Sequence, residues 1–186
     1  MPTRTVTVIR PQDNLTLKYR WPAVIAVRQA IKSGLFKQDT PIERKVELLK
    51  ELGNKIIETY SAGMTAPMRS FTLEVIPDAN ARGFGGACYS HERQHIMLDK
   101  PSLVSFLHEL AHHIQYERDG STTENYAQRW SIGLFKRATP GLFQDAVNRG
   151  LLYHTQPNST AQEEAMGPAL TQAAPAQPEQ PGQEPR

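Results

Sequence analysis

His108, Glu109, Leu110, Ala111 and His112 spell HExxH, and in these residues the chain's capacity for chemistry is easiest to read. On an α-helix, at about 100° per residue, His112 lies about 40° from His108 and one turn, about 6 Å, further along the axis. Glu109 lies about 100° round, on the same side. Two neutral imidazoles so spaced can bind one Zn²⁺ at about 2.0–2.1 Å, which leaves the neighbouring carboxylate beside a water on the ion and not on the ion itself. That arrangement suits hydrolysis with Glu109 as general base. The plainer reading is a partly exposed helix whose histidines only hydrogen-bond to neighbours. The HExxH pattern is specific in a chain with six His, and the stretch between Lys100 and Glu109 carries no charge, so the metal reading is preferred.

A catalytic zinc takes three protein ligands and keeps one position for water. Glu124 is the candidate for the third. On a helical projection it falls in the middle of an apolar arc formed by Phe135, Ile132, Leu134 and Ala127, while Arg129, Lys136 and Arg137 lie opposite. A carboxylate in such an arc is costly unless a cation or a metal meets it. Small Ala127 and Ser131 would let this helix approach the HExxH helix closely. The competing reading is that Ser121, Thr122, Thr123 and Glu124 form a capping box, with Glu124 binding only the N-cap amide. Glu117 points away from the proposed metal, Asp119 belongs to a turn, and His113 falls between the faces as a packing or surface residue. His91 and His95 read as surface histidines, and Cys88 as a small buried apolar residue.

The HExxH helix is expected over residues 101–118, closed by Gly120, with Leu103, Phe106, Leu107, Leu110, Ala111 and Ile114 as its core face. Upstream, residues 22–35 read as a helix opening on Pro22. A second follows a capping box at Thr40 to Glu43, with Val46, Leu49, Leu52, Ile56 and Tyr60 at helical spacing and Gly63 as its stop. Phe71, Leu73 and Val75 alternate with Thr72 and Glu74, the period of a strand, and residues 87–89 and 95–98 are two shorter strand candidates. The glycines Gly83, Gly85 and Gly86 lack the Lys-Ser or Lys-Thr of a phosphate loop and read as a mobile connection. The expected fold class is α+β: N-terminal helices, then a small antiparallel sheet or hairpin packed on the HExxH helix and on a following ligand-bearing helix.

The last 32 residues, 155–186, contain no Phe, Trp or Tyr but six Pro and six Gln, and read as a disordered tail. Residues 1–154 are then one domain. The tail's four Glu against one Arg take the overall +2 to +5 for the body, too mild to argue for nucleic acid. One cysteine excludes a disulfide framework and any Cys-based zinc cluster. The apolar run Trp21 to Val27 is far short of the roughly 20 residues of a membrane helix, and no signal-peptide pattern precedes it. A soluble, cytoplasmic protein with no membrane partner is expected.

HELAH at His108 to His112, with Glu124, Ala127 and Trp130 at offsets zero, three and six on a following helix, resembles the HExxH zinc metallopeptidases whose third ligand is a glutamate. Among these gluzincin-like proteins it is similar to the compact ImmA/IrrE-type domains. The resemblance spans residues 71–137. It implies a compact zincin-like domain, one Zn²⁺ held by His108, His112 and Glu124, Glu109 as the catalytic base, and a protein or peptide substrate that pairs with an edge strand near residues 87–89 or 95–98. Two departures stand out: only 11 residues separate His112 from Glu124, and Gln128 occupies a position where Asn or Asp is usual. Candidate donors for the oxyanion are Tyr89, His91, His95, Tyr116 and Tyr126. The rival readings are a binding or regulatory protein stapled by zinc, and an SprT-like, nucleic-acid-associated protease, whose third histidine is missing at near spacing.

Overall fold

The computed structural model describes residues 19–77 and 86–152. The expected tail, His154, Gly83 and Gly85 lie outside them. In chain order the described elements are α1 (Trp21–Ala30), a π-type turn (Ile31–Leu35), α2 (Ile42–Ser61), β1 (Thr72–Val75), β2 (Ala87–Ser90), β3 (His95–Leu98), α3 (Leu103–Asp119), α4 (Glu124–Ala138) and α5 (Pro140–Asn148). The fold is therefore α+β. No helix among the described residues is long and apolar enough to cross a membrane.

α1 starts at Trp21, with Pro22 in its opening turn where a missing N–H costs nothing. Its continuation breaks at Gly34, whose φ of 107° only glycine adopts without strain. The expected capping box at Thr40 does not form. Pro41 is the N-cap of α2 and makes no side-chain cap bond, while the Thr40 hydroxyl donates to the Gly34 carbonyl at 2.9 Å. Thr40 thus ties off the end of the preceding helix instead of starting its own. α2 buries Leu48, Leu49, Leu52, Ile56, Ile57 and Tyr60 along one face, as its spacing requires.

The sheet has the order β1-β3-β2. β2 and β3 pair antiparallel as a hairpin, but β1 lies parallel to β3, with Leu73 opposite Ile96. The sheet is therefore mixed, not antiparallel as expected. β2 lies at the edge beyond the central β3, away from β1, and turning back in the hairpin sets β3 parallel to β1. Leu73, Ile96 and Leu98 are buried with the core face of α3, where Leu103, Phe106, Leu107, Leu110, Ala111 and Ile114 are essentially inaccessible. Each large side chain so buried contributes about 1.5–3 kcal/mol. α4 packs against α3 and α1, with Trp130 edge-on to Tyr60 of α2 at 5.8 Å and its indole N–H donating to the Tyr60 hydroxyl at 3.3 Å.

One close approach gives a test of this core. A Cβ on Gly53 of α2 would meet the ring of Phe71, with Cε1 at 2.7 Å, and Cζ of Phe106 at 2.8 Å. Gly53→Ala gains about 1 kcal/mol of helix propensity but overpacks this contact at a cost of about 1–3 kcal/mol. We expect the urea midpoint to fall, and a raised midpoint would show that the Phe71 ring yields freely.

Candidate metal centre

α3 opens on Ser102, whose hydroxyl accepts the Ser105 N–H, and closes on Gly120 in the left-handed region at φ 69°. Between these caps the helix buries its apolar face against the sheet and presents His108 and His112 along a single stripe. Their rings meet edge to face with centroids 4.9 Å apart. The link from Gly120 to α4 is short because α4 begins at Glu124 itself, with Thr123 as N-cap. Glu124 is therefore the first residue of the helix, where a carboxylate also meets the positive end of the helix dipole. It is not at N3, and the capping-box position read from Ser121 does not apply.

His108 Nε2 lies 3.1 Å from Glu124 Oε2, His112 Nε2 lies 3.2 Å from Glu124 Oε1, and the two Nε2 atoms are 3.2 Å apart. Donors at about 2.05 Å from a tetrahedral Zn²⁺ are separated from one another by about 3.3 Å. The observed spacings match that edge closely. A single proton can link one pair of these electron-rich atoms, whereas a cation among them links all three side chains. Burial holds the His112 imidazole below its usual 6.5, and the charge of Glu124 only partly opposes this. Metal ligation needs a neutral ring of this kind. His112 Nδ1 is buried with no hydrogen-bond partner among the described residues, so the polar contacts of this ring are all made through Nε2. Ligand type, spacing and charge state fit a divalent cation, and His108, His112 and Glu124 are the group within the described residues that could hold one.

Glu109 is buried at 6% exposure. Burial first, and the nearby charge of Glu124 second, push its carboxyl from 4.5 up to about 7. Glu124 differs from expectation in one respect: its side chain is 81% exposed, because the first residue of α4 protrudes beyond the packed part of the helix. The structure brings Glu124 beside His108 and His112, but the burial argued for it from the sequence does not hold.

His113 is fully buried. Its Nε2–H donates to the Arg69 carbonyl at 2.9 Å, which leaves Nδ1 to accept the Tyr89 hydroxyl at 3.0 Å. Glu117, directed away from the candidate ligands as expected, accepts from the backbone N–H and the guanidinium of Arg69 at 2.9 and 2.6 Å. Together these bonds fasten β2 and the segment before β1 to α3. Burial raises the Glu117 carboxyl, but the hydrogen bonds from Arg69 outweigh it and hold the group below the usual 4.5. The stabilisation is then fully present above 4.5 and is lost as pH falls through the depressed value. We expect the stability difference between wild type and Glu117→Gln, measured by denaturant unfolding, to be constant at higher pH and to shrink on acidification below 4.5. A difference independent of pH would show that the ion pair contributes nothing.

Among the other candidates, Tyr89 is committed to His113, and His91 packs on the Tyr116 ring at 4.9 Å. His95 Nδ1 lies 2.6 Å from the Thr72 hydroxyl. The Tyr126 hydroxyl is buried and unpartnered among the described residues. Cys88 is half-buried on β2, and burial, then the charge of Glu109, raises its thiol. Pattern reading overlooked Gln115, whose Oε1 accepts the Thr123 N–H at 2.8 Å. Its one signal in the sequence is its position three residues after His112, on the same stripe of α3. Comparisons of the chain with protein families, with curated proteins and with solved structures gave no match.

Proposed function

We propose that this chain is a zinc-dependent metallopeptidase with a compact zincin-like fold, in which His108, His112 and Glu124 hold one ion and Glu109 is the general base. The observation that carries the reading is the convergence of the three donor side chains at zinc-like separations, beside a buried carboxyl held near neutrality. When bound, the ion acts as a Lewis acid that polarises the scissile carbonyl and makes a water acidic enough to react near pH 7. Glu109 takes a proton from the attacking water and delivers it to the leaving amine nitrogen, work for which a carboxyl poised near the operating pH is suited. Burial of Glu109 limits water around this base and strengthens its charge interactions.

The sheet supports a protein or peptide as the substrate. β3 is the central strand, with both edges occupied by β1 and β2. Of the two strand candidates for peptide pairing, only β2, Ala87–Ser90, keeps a free edge among the described residues. An extended peptide added there gains affinity from its backbone and little from its sequence. The basic residues of α4 give the nucleic-acid reading little support: Arg137 lies over the Tyr19 ring at 3.8 Å and Lys136 over Phe143 at 5.4 Å. Arg28 of α1 donates to the Ala138 carbonyl at the end of α4.

The test is zinc content measured together with hydrolysis of an unstructured protein such as casein, in wild type, Glu109→Gln and Glu124→Ala. A wild-type chain that takes up no zinc removes the reading.

A further inference from the structure

Glu124 poses a positional problem. Its side chain is 81% exposed, so packing around the carboxylate does not fix it over the histidines. What can be fixed is the backbone from which it projects. Thr123, immediately before it, is the N-cap of α4 and makes no side-chain cap bond of its own. Its backbone N–H is held by Gln115 Oε1 at 2.8 Å. Gln115 is only 6% exposed and stands on the rigid body of α3, one turn beyond His112. A single hydrogen bond thus references the start of α4 to the helix that carries the other two donors. Thr123 itself is exposed, so without this acceptor its N–H turns to water with any shift of the link, and Glu124 moves with the link.

We propose that Gln115 is a positioning residue of the metal centre: by holding the Thr123 N–H it sets where Glu124 enters the site, and so sets zinc affinity without touching the ion. The proposal rests on the metal-centre reading above. Outer partners of this kind are worth about 10- to 100-fold in metal affinity.

The experiment measures the zinc Kd of the full chain by competition with a chromophoric chelator at one pH, alongside thermal unfolding of the metal-free protein. The variants are Gln115→Met, Glu124→Ala and the double variant. Methionine keeps the length of the side chain and removes the acceptor oxygen. Gln115→Asn, whose amide is too short to reach Thr123, is the second probe and serves if Gln115→Met does not fold. We expect Gln115→Met or Gln115→Asn to weaken zinc binding about 10- to 100-fold while the metal-free protein still unfolds cooperatively. In the Glu124→Ala background the same substitution should add no further loss, because Gln115 acts through Glu124. Equal losses with and without Glu124, or no loss at all, overturn the proposal and leave the metal centre standing. If wild type binds no zinc, or Glu124→Ala binds it as tightly as wild type, the metal-centre reading itself fails and the proposal falls with it.

Discussion

Glu109→Gln is expected to retain zinc at the wild-type level and to hydrolyse casein about 10²- to 10⁴-fold more slowly, the usual worth of a positioned acid-base group. The substitution is nearly isosteric at a buried position, so it removes the proton-accepting carboxylate and little else. Glu109 is also not among the converging donors, which is why metal content should not follow activity down. The competing picture, in which the ion only staples α3 to α4, gives a different result. It predicts that zinc binding tolerates Glu109→Gln and that there is no hydrolysis for the variant to lose, since a staple needs no base. Hydrolysis at the wild-type rate in this variant would end the peptidase mechanism.

Glu124→Ala is expected to lose more than about 100-fold in zinc affinity, beyond the range seen when only an outer partner of a ligand is removed. The metal-free fold should survive. An exposed acid in the first turn of a helix contributes about 0.3–1 kcal/mol through the helix dipole, and Glu124 projects from the packed surface and not into it. Zinc titration against thermal unfolding separates the two effects: affinity should collapse while the metal-free transition moves by a few degrees at most. Unchanged zinc affinity would make Glu124 an ordinary helix-start residue.

The helix that carries HExxH was the most legible part of the chain. Its expected span, 101–118, agrees with Leu103–Asp119 to within two residues, because an apolar face and a terminal glycine mark the same element. Strand positions were legible for the same local reasons. Their pairing was not: alternation in residues 71–76 says which side chains of β1 face inward but not which neighbour it joins or in which direction. α5 went unread because Thr139, Pro140 and Gly141 look like a turn, although proline is equally suited to a helix start, and no residue of α5 is buried enough to give a strong periodic signal. The capping boxes at Thr40 and Ser121 failed for different reasons: the Gly34 carbonyl took the Thr40 hydroxyl, and α4 begins only at Glu124, with Thr123, held by Gln115, as its N-cap. Contacts between a side chain and a remote backbone group leave no periodic trace in the sequence.

The three converging donors all lie between His108 and Glu124, on two consecutive helices joined by a short link. Loop-closure entropy rises only with the logarithm of loop length, so bringing these groups together costs the chain little, and less than any contact across the fold. The surroundings of Glu109 are assembled over a longer range, because β2 packs on α3, brings Cys88 near enough for its thiol to feel the charge of Glu109, and is held there by the bond from Tyr89 to His113. Capacity for a cation is therefore a property of one local helical hairpin, whereas the raised affinity of Glu109 for a proton belongs to the completed tertiary structure. A chain loosened around β2 would still gather its donors while losing the environment that tunes its base.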